Sequence, residues 1–166
     1  MVISGKRIIF SIFVIYLILC QPLVIQASEE SISLKNEVIT PGSFYYSFKR
    51  LWEKGLEKLQ FSRESKITFY QSQLQTRLSE LKNYLENKVL SEVQTCSERF
   101  SYYAGILTDE LVKQNKSGEK EKIIKEFEKM QKFLEGLRDK YPANTSFWML
   151  VQHDINTLKI LSDTLK

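Results

Sequence analysis

The chain has 166 residues, with 24 Lys and Arg against 20 Asp and Glu for a net charge of +4 at pH 7. So small an excess gives no argument for nucleic acid as a partner. One His and two Cys are too few ligands for a zinc or di-iron helical site, so no metal and no cofactor are expected.

Residues 1–27 read as an export signal. Lys6 and Arg7 form a short basic start, Ile8–Leu19 is apolar apart from Ser11 and Tyr16, and a looser run follows to Ala27. Ala27 with Ile25 two residues before it is an acceptable cleavage site. Two other readings stay open. Residues 8–25 are long enough to remain as an uncleaved membrane anchor, although Gln21 and Pro22 interrupt them. Cys20 could carry a lipid, although Leu19 is not the small residue usual before such a cysteine. All three readings put the remaining chain outside the cytoplasm, secreted or anchored. Cleavage would remove two basic residues and no acid, lowering the net charge from +4 to +2. It would also leave Cys96 as the lone cysteine, with no internal disulfide. Between Val93 and Phe100 on an apolar stripe, Cys96 reads as a small buried side chain rather than a reactive thiol.

Residues 28–40 are acidic and aperiodic, as a linker would be. Residues 41–166 then read as a single all-α domain, a bundle of about five helices with up-down antiparallel connections. Pro41-Gly42-Ser43 offers a stop, a joint and an N-cap hydroxyl. Phe44, Phe48, Leu51, Trp52, Leu56 and Leu59 follow at helical spacing, with Lys49, Arg50, Glu53, Lys54, Glu57 and Lys58 mostly on the other face. The apolar stripe is expected to pack inward, burying Trp52. The alternative is a docking segment for a partner, with Trp52 in the interface.

The string from Ile39 resembles the opening of the bacterial domain-of-unknown-function family numbered 5667. The matching positions are Pro41, Gly42, Ser43, Tyr46, Phe48, Lys49, Arg50, Trp52 and Glu53, then Arg77, Leu78 and Glu80 in the next helix. It departs at Ser62-Arg63-Glu64, where an Asp-Pro pair would be usual. The resemblance covers about Ile39 to Leu111. It implies a helical extracytoplasmic module with no established activity and supplies no catalytic residues.

After a polar break at Gln60–Ser65, a long helix to about Lys88 carries Ile67, Tyr70, Leu74, Leu78, Leu81 and Leu85 on a near-heptad stripe, with Val89 at its margin. Glu80, Lys82, Glu86 and Lys88 are expected in water. The next, about Ser91 to Gln114, carries Val93, Cys96, Phe100, Tyr103, Leu107 and Leu111, and Asn115–Gly118 is expected to end it, with Gly118 in the turn. A helix over about Glu119 to Lys140 carries Ile123, Phe127, Met130, Leu134, Leu137 and Tyr141. Tyr141-Pro142 stops it, and Asn144-Thr145-Ser146 caps a last helix with Trp148, Val151, Ile155, Leu158, Leu161 and Leu165.

A search for chemistry finds little. His153 has neither a second His nor a Glu three residues before it, and reads as a surface residue beside Asp154. No Ser stands in a nucleophile elbow and no Gly-rich loop cradles phosphate, so no enzyme is expected. Three softer features remain. The pairs Tyr45-Tyr46, Tyr102-Tyr103 and Phe147-Trp148 could stack sugars or a peptide, or could widen a helix face packed on two neighbours. The Lys49, Arg50, Lys54 and Lys58 face could meet anionic lipid head groups, or be an ordinary solvated face interleaved with Glu53 and Glu57. Asn115-Lys116-Ser117 and Asn144-Thr145-Ser146 fit the glycosylation pattern, usually chance in a bacterium.

The expected function is therefore a non-catalytic extracytoplasmic interaction or scaffold module, a monomer or weak oligomer. Its partner would be an envelope protein or surface polymer, with membrane attachment through residues 8–25 open, and its candidate interface residues are Tyr46, Lys49, Arg50, Trp52 and Trp148. The alternative is an envelope binder of small molecules or unfolded proteins. The periplasmic helical chaperones of that kind carry a Leu-Thr-x-x-Gln signature, and Leu107-Thr108-Asp109-Glu110 lacks the Gln.

Overall fold

The structure, a computed structural model, describes residues 44–114 and 117–166. The readings made for residues 1–43, the leader, the linker and the Pro41-Gly42-Ser43 start, lie outside the described residues, as does the Asn115 acceptor. The described chain is all-α, with five helices: α1 Phe44–Lys58, α2 Arg63–Glu86, α3 Leu90–Gln114, α4 Ser117–Arg138 and α5 Ser146–Leu165. Among the described residues no helix is long and apolar enough to cross a membrane.

Local signals set the helix ends. Ser62 caps α2 in an extended conformation, and its hydroxyl accepts the Ser65 amide at 3.0 Å. At the other end Lys88 takes the left-handed conformation, with φ 57°. The Val89 amide then reaches the Tyr84 carbonyl and the Lys88 amide the Leu85 carbonyl, both at 3.1 Å. This closes α2 as a Schellman turn, with Lys where Gly is usual, and turns the chain directly into α3. Asn144, also left-handed at φ 66°, sets Thr145 to cap α5 through the Trp148 amide. Gly118 corrects the sequence reading: it lies within the first turn of α4, not in a turn before it.

Helices α2 to α5 share one core. The stripes expected from spacing meet there: Leu74, Leu78, Leu81 and Leu85 of α2, Val93, Cys96, Phe100, Leu107 and Leu111 of α3, Phe127, Met130 and Leu134 of α4, and Val151 and Leu158 of α5 are all buried. The α2–α3, α3–α5 and α4–α5 pairs pack closely. Glu126 of α4 bridges to α2, taking hydrogen bonds from Gln71 and Gln75 at 2.9 Å each. Tyr141, after α4, stacks on Phe147 and donates to the Leu85 carbonyl. The apolar stripes of these four helices meet in that core, as a bundle requires.

The first helix reverses the expectation. Trp52 is 65% exposed, Phe48 71% and Leu51 68%, and Leu59 and Phe61 are open too. The opposite stripe faces the bundle: Tyr46 and Glu53 are buried, and Lys49 and Glu57 half-buried. Trp52 is thus not the core residue its spacing suggested. The reason lies on α2, where Glu80, expected in water, is fully buried beside Arg77, and α1 supplies Lys49 to Glu80 and Glu53 to Arg77.

Urea melts of two variants separate the two roles. Phe100→Ala, in the packed interior, should lower stability by about 3–5 kcal/mol. Trp52→Ala should leave the midpoint within about 0.5 kcal/mol of the parent, as surface substitutions do. A large loss in Trp52→Ala would put its indole back in the core.

Candidate functional site

Two polar stripes at three- and four-residue spacing face each other where α1 crosses α2 antiparallel. On α1 they are Tyr46, Lys49, Glu53 and Glu57; on α2, Glu80, Arg77, Gln73 and Tyr70. Arg77 is the hub. One guanidinium nitrogen donates to Glu80 Oε2 at 2.6 Å and to the Tyr46 hydroxyl at 3.3 Å. The other donates to Glu53 Oε2 and, at 2.9 Å, to Gln73 Oε1. Its flat face lies over the Tyr103 ring, 5.7 Å from the centroid. Lys49 completes Glu80 by donating to Oε1 at 3.1 Å. From α3, Arg99 donates to the Tyr46 hydroxyl and covers its ring, 5.3 Å from the centroid. Glu57 closes the seam by accepting from Tyr70 at 3.0 Å.

The electrostatics hold this clamp in one charge state around Arg77. Burial works against its positive charge, but the Glu80 and Glu53 carboxylates outweigh it and hold the guanidinium more firmly protonated than usual. Burial, then the Glu80 charge, pushes the Tyr46 phenol well above its ordinary range. Burial first and Glu80 second push the neighbouring Cys96 thiol up to about 12, leaving it an inert core side chain.

With its polar stripe spent on the clamp, α1 turns Phe48, Leu51, Trp52 and Leu59 to solvent with Tyr45 beside them. Along one edge of that stripe run Lys54 and Lys58, both exposed, with half-buried Arg50 behind them. Both acids of α1 point the other way. The outward half of the helix is therefore apolar and cationic.

The candidate residues accordingly separate. Tyr46 and Lys49 are clamp residues and unavailable to a partner. Arg50 and Trp52 lie on the outward side. Trp148 stands apart on α5, half-buried under Arg138, whose guanidinium is 5.7 Å from its ring centroid. Of the aromatic pairs, Tyr45 and Tyr102 point outward while Tyr46 and Tyr103 turn in, and Phe147 is occupied by Tyr141. Glu53, Arg77, Gln73 and Glu80 were missed as a group. The signal that could have found them is the pair of polar stripes, each regular enough to face the other.

A second buried polar group lies in the main core. Asp154 of α5 is fully buried, and Ser97 and Ser101 of α3 each donate to its Oδ1 at 2.9 Å. His153 beside it is exposed as expected, 4.0 Å from the same oxygen. Burial pushes the Asp154 carboxyl up to about 7, against the two serine hydrogen bonds, which favour the charged form. Among the described residues no three His, Cys, Asp or Glu side chains gather as a metal site requires.

Arg77→Ala strands buried Glu80 and should cost about 3–5 kcal/mol in a urea melt. Glu53→Ala should instead free α1: trypsin then cuts after Arg50, Lys54 and Lys58 at lower enzyme concentration while the bundle's near-ultraviolet dichroism persists. Equal protection in the parent and Glu53→Ala would remove the clamp from this account. For Asp154 the folded carboxyl binds its proton more tightly than the unfolded one, so the fold is favoured at low pH. Stability falls as pH rises through about 4 to 7. The melting midpoint should therefore drop between pH 5 and pH 8, Asp154→Asn should flatten the slope, and His153→Gln should retain it.

A family model described as Domain of unknown function (DUF5667) matches residues 38–146. The match runs from before α1 through α4 and stops where α5 begins. No curated protein and no solved structure matches the chain.

Proposed function

The chain belongs to the DUF5667 family, and we propose that it is a non-catalytic interaction module of the cell envelope whose bundle presents the outward face of α1 to an envelope component. The observation that carries this reading is the inverted α1. An amphipathic helix ordinarily buries its apolar stripe; here a buried ion network holds the polar stripe down and leaves Phe48, Leu51 and Trp52 open. A contiguous apolar patch rimmed by charge marks an interaction surface. The export signal read in residues 1–27 supports an extracytoplasmic place for the domain, either released or held by residues 8–25. The bundle's role is then to fix the orientation of one surface helix, and its own core needs no ligand.

A photo-crosslinking residue placed at position 52 of the full chain, expressed in its native host, tests this. Adducts with an envelope component should form from position 52 and not from position 125, which is exposed on α4 between Glu121 and Lys129. Protease added to intact cells stripped of their wall should reach the domain. Cytoplasmic protection of the domain, or equal adducts from both positions, would overturn the reading.

A further inference from the structure

We infer that the component met by α1 is the bilayer surface itself, with anionic lipid head groups; this rests on the reading of α1 as the presented surface. The chemistry of the face selects the occupant. Its centre is Phe48, Leu51, Trp52 and Leu59, and one flank is Lys54 and Lys58, with Lys66 of α2 close to both across a shallow groove that Glu57, Gln60 and Tyr70 also line. Glu53, one of the two acids of α1, is buried against Arg77; Glu57, half-buried, accepts from Tyr70 at the floor of that groove, and Lys54, Lys58 and Lys66 outnumber it there. Trp, Phe and Leu beside Lys is the make-up of a helix that lies in the interface plane, its apolar side at the acyl boundary and its cations at the phosphates. At 15 residues α1 is too short to span and long enough to lie flat.

The sequence outside the described residues agrees. The apolar run 8–25 precedes α1 with only residues 26–43 between them. Retained as an anchor, that run would tether α1 to the bilayer by a shorter stretch of chain than any other helix of the domain. Phe61, just after α1, is a further exposed aromatic at 88%. A face whose centre is apolar and whose flank carries three lysines against one half-buried acid fits a uniformly negative plane.

The test uses the full chain reconstituted in vesicles, with Trp52 as a local reporter. In vesicles containing phosphatidylglycerol, tryptophan emission should shift to the blue and be quenched by brominated acyl chains. Trp52→Phe, which leaves Trp148 as the sole indole, should lose both effects. Phe48→Ser/Leu51→Ser should abolish them without moving the melting midpoint. Lys54→Gln/Lys58→Gln should reduce the docked-to-undocked ratio about 25-fold, about fivefold for each cation near an anionic surface. Added salt should do the same. An equal response in pure phosphatidylcholine, indifferent to salt, overturns the assignment of anionic lipid. A blue shift that grows with protein concentration without lipid overturns it in favour of a second copy of the chain. No vesicle response, with position 52 still cross-linking to an envelope protein, overturns the lipid assignment and leaves the interaction module standing. Loss of both signals sinks both.

Discussion

Arg77 is the constraint on which the arrangement of α1 depends. Its side chain is almost fully buried and cannot shed its charge, so the fold must bring carboxylates to it. One comes from its own helix, Glu80 three residues on, but Glu80 is itself fully buried and one acid leaves the fork half used. The second, Glu53, can come only from another segment. Once Glu53 turns inward, helical geometry takes Lys49, Tyr46 and Glu57 with it and sends Phe48, Leu51 and Trp52 out. A buried charge without its partner costs about 3–5 kcal/mol, and an exposed large apolar side chain forfeits about 1.5–3 kcal/mol. The burial forfeited on α1 is therefore available to whatever surface covers it.

That balance explains which parts of the fold could be read from sequence. The stripes of α2 to α5 were legible because nothing competes with them: Leu74, Leu78, Leu107, Phe127 and Leu158 sit at helical spacing and are buried. The cap on Thr145 was legible because hydroxyl capping is local chemistry. The orientation of α1 was not. Amphipathic spacing says which residues share a face; it does not say which face turns inward when the polar one carries the partners of a buried cation. Glu80 was assigned to water by the same rule, though it stands three residues from Arg77 on one side of α2. Asp154 was invisible for another reason. Nothing in its neighbourhood marks it except Ser97 and Ser101, which lie far away in sequence on α3.

The residues that carry the family resemblance divide along the same line. Tyr46, Lys49, Glu53, Arg77 and Glu80 all belong to the clamp, while Arg50 and Trp52, from the same short string, face away from it. A motif that looked like one functional signature is two things interleaved at helical period: an inner half that fixes the helix and an outer half that is shown. The family match stops before α5, yet Val151, Ile155, Leu158 and Leu165 of α5 complete the core in this chain.

Clamping has a consequence for binding. A free amphipathic segment pays to become helical and to choose a face when it meets a surface. In α1 both costs are met in advance by the bundle: the backbone is already helical, the polar side chains already have partners, and the rotation about the helix axis is set by Arg77. Arg77 and Tyr46 both hold their protons more tightly than free side chains do, Arg77 through its two acids and Tyr46 chiefly through burial. Neither of these two groups changes charge near neutrality. Asp154, whose carboxyl burial pushes up to about 7, joins α5 to α3 instead. Its protonation acts on the stability of the core and not on the bonds that aim α1. The group whose charge state depends on pH thus lies at the α3–α5 contact, while the ion pairs that orient α1 keep theirs.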